Sequence, residues 1–195
     1  MPCSLRTGLS YCLIDGRPIF LDIDRDRYFR LEGPREAEFL AKAKAGSHAR
    51  MCIPQPARSA IELEPAPGSA DAATILRIFG LMLRTRRQLR TRAFKRVLRD
   101  IVAYRDSRAC LTDQARCLEA AGHFLRARLY IPSEPSCLLD SLTLTAYLIS
   151  RGLSAHIVLG VNDAPFAAHC WVQAGDLVLN DTVGNAMAYM PILVV

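Results

Sequence analysis

The sequence predicts an α+β protein of two units, a small one over residues 1–83 built of a three-stranded sheet plus helices, and a larger one over residues 84–195 with a helix packed on an antiparallel sheet. Three observations predict this. Residues 11–31 alternate short apolar stretches with the turn signals "DG" and "DRD". Residues 137–152 read as one apolar helix that stops at a glycine. Three strand-like runs then follow it in succession. With 51% hydrophobic residues in a chain of 195, there is ample material for a buried core, so disorder is not expected.

In chain order, "YCLIDGRPIFLDIDRDRYFRL" reads as a meander of three strands. "PREAEFLAKAKA" follows as a short amphipathic helix, with Pro34 at its start and Gly46 just past its end. The proline-rich "CIPQPARSAIELEPAPGSAD" reads as an irregular connection. In "DAATILRIFGLMLRT" a helical pattern resumes, with Asp71 as N-cap and apolar residues at 75, 78, 79 and 82. "RTRRQLRTRAFKRVLR" carries seven arginines and one lysine and keeps Leu89, Phe94, Val97 and Leu98 apolar. Without interleaved aromatics or a recognition motif, it reads as a linker and then a helix with a solvated basic face, and no nucleic-acid partner is expected. Helical texture continues through "CLTDQARCLEAAGHFLRARLYI", which puts Cys110 and Cys117 on one face as packed thiols. "CLLDSLTLTAYLISRG" is a helix opening at Ser133 or Pro135. "SAHIVLG", "FAAHCWVQ" and "DLVLND" are the three strands after it.

The net charge of +6 suits an anionic partner but also serves ordinary solubility, so it selects no function. The seven cysteines are odd in number, lack CxxC spacing and follow no secretory signal, which predicts a reducing cytoplasm. No apolar run approaches the roughly 20 residues of a membrane span, so a soluble protein with no membrane partner is expected.

The candidate chemistry lies in Cys137, His169 and Asp181. Cys137 falls in the first turn of its helix, where unpaired N–H groups and the dipole favour a thiolate. His169 can take the thiol proton and return it to a leaving group, and Asp181 can orient that base. The strands around them are joined through "AGD". A two-residue Gly175-Asp176 turn would set residue 169 opposite 182 and put His169 and Asp181 on different faces. A three-residue loop of Ala174, Gly175 and Asp176, or a bulge of equal effect, would set 169 opposite 181. A catalytic pair therefore predicts the longer loop. Taken singly, each residue has an ordinary structural explanation, as a buried thiol, a strand histidine and a turn former. Their order, Cys at a helix start, His in one strand and Asp ending the next, is the layout of the papain-like and transglutaminase-like cysteine fold. His48, His123 and His156 lack such partners and read as structural. No metal is expected, because residues 169 and 170 point to opposite strand faces, which weakens zinc held by Cys137, His169 and Cys170.

"CLLDSLTLTAYLISRGLSAHIVLGV", "PFAAHCWVQ" and "VLND" resemble the C-terminal domain of lasso-peptide biosynthesis B proteins, which are transglutaminase-like leader peptidases. The resemblance covers about residues 84–195, is strongest from 137 onward, and maps the family's Cys, His and Asp onto Cys137, His169 and Asp181. In three places the chain departs from the pattern: Asp140 stands where a basic residue is common, Cys170 replaces a usual alanine, and Gln173 a usual glutamate. Asp140 could alter what approaches the site. Residues 1–83 resemble the winged-helix-like precursor-recognition element of such proteins. In that element a leader peptide adds as a strand to an exposed edge. Here the edge would be the third strand, with Tyr28, Phe29 and Leu31, facing a wall of Ile75 and Phe79 from the 71–83 helix.

The resemblance implies a cysteine endopeptidase that removes the leader of a ribosomally made lasso-peptide precursor. The core peptide would pass to an asparagine-synthetase-like cyclase that closes the macrolactam. It also implies an ATP requirement in some members. The chain has no GxxxxGK[ST] loop and no cofactor of its own is expected, so ATP would act through the cyclase. Two other readings stay open: a transamidating acyl transferase on the same thioester, and a non-catalytic leader-binding adaptor.

Overall fold

The computed structural model describes residues 5, 7–45, 53–63 and 70–195. The expected helix stop at Gly46 and His48 lie outside the described residues.

Strands β1 (Leu9–Ile14), β2 (Arg17–Asp22) and β3 (Arg27–Arg30) form an antiparallel sheet in that order. Asp15 and Gly16 join the first two, with Ile14 opposite Arg17 and φ of 50° and 78° at the turn residues. This is the mirror-image turn whose twist suits a hairpin and for which Asp-Gly is favoured. Strand alternation then sorts the side chains. Tyr11, Phe20 and Phe29 share one face, where Phe39 of helix α1 (Pro34–Ala45) meets the rings of Tyr11 and Phe20 at 4.9 Å. Cys12, Ile19 and Leu21 occupy the other face and are buried.

The rest of the chain comprises β4 (Arg58–Ser59), α2 (Ala72–Thr91), α3 (Phe94–Asp106), α4 (Gln114–Arg128), α5 (Cys137–Ser150), β5 (His156–Asn162), β6 (Ala167–Ala174), β7 (Leu177–Val178), α6 (Val183–Met187) and β8 (Met190–Val194). A five-stranded sheet runs β4-β7-β6-β5-β8. Helix α5 packs on one face of it, and α2 and α4 pack on α5. A second core joins Ile19 and Leu21 of β2 to Val97 and Leu98 of α3, Leu142 of α5, Ile157 and Leu159 of β5 and Ile192 of β8. The Ser10 hydroxyl also donates to the Ile192 carbonyl. The inner face of the N-terminal sheet is therefore buried in the body of the molecule. Helix α5 is buried on nearly every side, and its inward hydroxyls stay satisfied: Thr143 Oγ1 donates to Leu139 O at 2.7 Å and Thr145 Oγ1 to Ser141 O at 2.9 Å.

Several sequence expectations are corrected. Helix α2 continues unbroken through residues 83 and 84 to Thr91, so the basic stretch is no linker: only Arg92 and Ala93 separate α2 from α3. Cys110 and Cys117 do not share a helix face. The Asp113 side chain accepts from Arg116 N and starts α4 at Gln114, which leaves Cys110 upstream in extended chain. The cap of α5 is Ser136, whose hydroxyl accepts from Leu139 N at 3.4 Å, rather than Ser133 or Pro135. The proline-rich connection supplies β4, which pairs in parallel with β7. Among the described residues, no helix is long and apolar enough to cross a membrane.

Candidate active site

Ser136 as N-cap makes Cys137 the first residue of α5, at the end of a helix otherwise sealed in the core, and leaves Cys137 exposed. Asp140, one turn on, is engaged within the protein. Its carboxylate accepts from Ser136 N at 3.3 Å and from Arg128 Nε at 2.8 Å, while Arg128 also donates to Ser133 O at 2.9 Å. Asp140 thus ties the approach to α5 onto α4.

His169 lies near the start of β6, where its ring meets the thiol of Cys137 on one side and Asp181 on the other. Its Nε2–H donates to Asp181 Oδ2. With Nε2 so committed, Nδ1 is the nitrogen left for the thiol. Tyr189 covers the ring at a centroid distance of 5.0 Å, and Trp171 lies 6.1 Å away on the same strand face. Gly160 sits across the ladder from His169, and a Cβ there would come within 2.7 Å of Trp171 and 2.8 Å of Tyr189. A residue with no side chain is what lets both rings close on the histidine. Two further donors reach Asp181: Thr182 N at 2.8 Å on Oδ1, and Asn185 Nδ2 at 3.1 Å on Oδ1 and 2.9 Å on Oδ2.

These contacts set the charges. The hydrogen bond from His169 holds the Cys137 thiol below its usual pKa against the opposing effect of burial, and the Cys170 and Leu138 backbone N–H groups add to it. Hydrogen bonds to Asp181 and then to Cys137 push His169 up to about 9. Burial raises the Asp181 carboxyl, but His169, the Thr182 N–H and Asn185 outweigh it and hold the pKa below the usual carboxylate value. The arrangement favours thiolate, imidazolium and carboxylate in a row. Cys170, by contrast, is completely buried, and desolvation pushes its thiol to about 12.

The loop between β6 and β7 departs from the sequence expectation. Ala174 pairs with Leu177 and Gln173 with Val178, so the turn is the two-residue Gly175-Asp176 version, with positive φ at Gly175. That register alone would part His169 from Asp181. They meet because the ladder stops. Leu179 N still donates to Val172 O at 2.8 Å, but Val172 N–H goes to the Asn180 side chain, also at 2.8 Å, and residues 179–181 bend out of the strand. Asn180 Nδ2 also donates to Ser141 Oγ at 2.9 Å, and Ser141 Oγ to Cys170 O at 3.0 Å, which ties the bend to α5 and β6. From β4, the Ser59 hydroxyl donates to the backbone carbonyl of Asp181 at 2.5 Å.

Sequence reasoning missed Ser59, Asn180 and Asn185. The signal for the last two was adjacency: Asn180 precedes Asp181 and Asn185 follows one turn after it, behind the Thr182 cap. Nothing local could have placed Ser59, which lies 122 residues away in the proline-rich stretch.

Of the residues expected at the strand edge, Tyr28 and Phe29 lie on β3 and Leu31 just beyond it, all half-buried. Phe29 stacks on Phe20 at 5.1 Å under α1, and Tyr28 packs against Phe166 at 5.5 Å. Ile75 and Phe79 belong elsewhere. Ile75 packs into the core that α2 forms with α4 and α5, and Phe79 is 38% exposed on α2. The side chains that close on β3 come instead from α1 and from the turn before β6.

The chain belongs to the transglutaminase-like superfamily, whose family model matches residues 79–194. Among curated proteins it is similar to the microcin J25-processing protein McjB of Escherichia coli, with 47% identity over 45 residues, 23% of this chain and 22% of that protein. The match thus spans less than a quarter of the relative's length. Both findings support the resemblance to lasso-peptide B proteins. No solved structure matches the chain significantly.

Proposed function

We propose that this chain is a cysteine endopeptidase that binds the leader of a ribosomally made lasso-peptide precursor, cleaves it off, and hands the core peptide to an asparagine-synthetase-like cyclase. The observation that carries the reading is the exposed Cys137 thiol at a helix N-terminus in contact with a histidine whose far nitrogen donates to Asp181. The similarity to a microcin-processing protein supports the choice of substrate.

The Cys137 thiolate attacks the scissile carbonyl carbon, and the tetrahedral intermediate forms beside the helix N-terminus, where the Cys137 backbone N–H can donate to the oxyanion. Imidazolium His169 gives its proton to the departing amine as the C–N bond breaks. Neutral His169 then takes a proton from water, which hydrolyses the thioester, and Asp181 keeps the imidazole oriented and its charge stabilised throughout. In the leader-binding role assigned to residues 1–83, read as winged-helix-like, the leader would pair along the outer edge of β3, next to Tyr28, Phe29 and Leu31. Any ATP requirement would enter through the cyclase, and the setting would be the cytoplasm, where the thiols stay reduced.

Incubating precursor with wild type and with Cys137→Ala, with and without cyclase and ATP, and weighing the products tests this. Hydrolysis gives two peptides whose masses sum to the precursor plus one water, and Cys137→Ala should give none. Full leader removal by Cys137→Ala would leave only a leader-binding adaptor, and a product lacking the added water would point to acyl transfer to an amine.

A further inference from the structure

The face of the five-stranded sheet opposite α5 carries a hollow beside His169. Along β6, His169, Trp171 and Gln173 point to this face, while Cys170 and Val172 point into the cores around α5. Trp171, Val158, Val178 and Ala186 of α6 form a small apolar cluster there. Next to that cluster opens a cavity of about 280 Å³, with Trp171 and Tyr189 in its wall. These are the two rings that stand 6.1 and 5.0 Å from the His169 imidazole, so the hollow and the reactive histidine share a wall.

The lining is apolar and carries no charge. Ile53, Met187 and Met190 line it together with Pro54, Pro56 and Pro191, and among the described residues no charged side chain does. The Gln173 amide in its wall is fully buried and already spent. Its Nε2 donates to Pro54 O and Gly175 O, both at 2.7 Å, and its Oε1 accepts from Trp171 Nε1 at 2.9 Å. A charged group entering the hollow would lose its water and meet no counter-ion. An apolar group would instead cover Met187 and Met190, which are 57% and 46% exposed. Since a cavity of about 150 Å³ holds a benzene ring, one aromatic or branched aliphatic side chain fits.

The place of the hollow says which side chain this is. His169 gives its proton to the departing amine, so the part of the substrate that follows the scissile bond lies against the imidazole. We propose that the hollow is the specificity pocket for that amine-releasing half of the peptide and takes one large, uncharged apolar side chain from it. The assignment rests on Cys137 as nucleophile and His169 as its acid, and it adds what the site selects.

Running the cleavage backwards tests this with defined probes. p-Nitrophenyl acetate acetylates Cys137 and releases p-nitrophenolate. A dipeptide amide on the leaving side then attacks the thioester carbonyl through its amine: the C–N bond forms, the C–S bond breaks, Cys137 leaves as thiolate and His169 takes the amine proton. Mass spectrometry compares the acetyl-dipeptide products of equal mixtures with Xaa as Phe, Leu, Ala, Glu or Arg, in the series Xaa-Gly-NH2 and Gly-Xaa-NH2. Cys137→Ala is the blank for the other thiols. Phe and Leu should be favoured over Ala, Glu and Arg by about 10- to 100-fold in one series, and that series identifies the residue that enters the hollow. Met187→Asp and Met190→Asp, both at exposed positions, should lower the preference by about tenfold and leave p-nitrophenolate release unchanged. Products without preference in wild type, or no acetyl-dipeptide at all, would overturn the assignment alone. A preference that survives intact in both variants would overturn it too. Release of p-nitrophenolate by wild type no faster than by the blank would remove the nucleophile itself, and the assignment with it.

Discussion

The hairpins β1–β2 and β6–β7 begin alike and end differently. Each turns through two residues that include a glycine with positive φ. In β1–β2 the ladder then runs for six residue pairs, and every side chain falls on the face that alternation assigns. In β6–β7 it runs for two, after which a side-chain amide takes over one backbone N–H and the strand bends. The first hairpin is regular throughout. The second gives up ladder pairing at Asn180 and so brings Asp181 onto the face of His169. The His169–Asp181 contact is made by leaving the regular structure, and the stability lost from the ladder is offset by side-chain hydrogen bonds from Asn180, Ser141 and Ser59.

The sharpest way to break this contrast is to remove what the bend delivers. Asp181→Ala should lower kcat/KM by about 10³- to 10⁴-fold and also lower the Tm at neutral pH, because the stabilisation of imidazolium His169 goes with the carboxylate, although the bend itself is still held by Asn180 and Ser59. Steady-state kinetics and a thermal melt check it, and activity within tenfold of wild type would deprive the bend of its purpose.

A smaller effect, tunable by pH, follows from the same pair. The thiolate–imidazolium state forms once Cys137 ionises, below its usual pKa, and ends when His169 loses its proton near 9. The pH profile of kcat/KM should therefore rise as Cys137 ionises and fall above about 9. Stability follows with a definite sign. His169 has a folded pKa above its usual 6.5, so its contribution is complete below 6.5 and is lost as pH rises through about 9. In Asp181→Ala the alkaline limb should move to lower pH, since the largest cause of the raised pKa is gone.

Asn180→Ala tests the bend from its other end. It strands the Val172 N–H and removes a donor from Ser141, at a cost of about 1–3 kcal/mol in stability. Activity should fall by only about tenfold, because the His169–Asp181 contact survives in part. Urea melts and kinetics on one sample separate the two effects, and unchanged stability together with unchanged activity would show that the bend does not depend on this residue.

How much of this was legible depended on range. The β1–β3 meander, helix α5 and the order Cys137, His169, Asp181 could be read because each rests on local signals: an Asp-Gly turn, an apolar run after a cap, and a strand period. The turn was misread: a catalytic pair predicted the three-residue loop rather than the Gly175-Asp176 turn found, because whether the ladder persists beyond that turn is decided by Ser141 on α5 and Ser59 on β4. For the same reason Ile75 and Phe79 were set against β3: their helical period shows that α2 has an apolar face, not which neighbour receives it. The 83/84 division fell inside α2 because the arginines from 84 onward change the composition without changing the helix.

The smallest effect completes the contrast. Gly16 has φ of 78° and open space where a Cβ would stand, so Gly16→Ala meets no neighbour and adds only the strain of a left-handed alanine. The cost should be about 1 kcal/mol, a Tm loss of roughly 2–4 °C for a chain of this size, with kcat/KM unchanged. An activity loss in Gly16→Ala larger than its stability loss explains would mean that the first hairpin is not purely structural. It would place the register of the β1–β3 sheet among the determinants of the site.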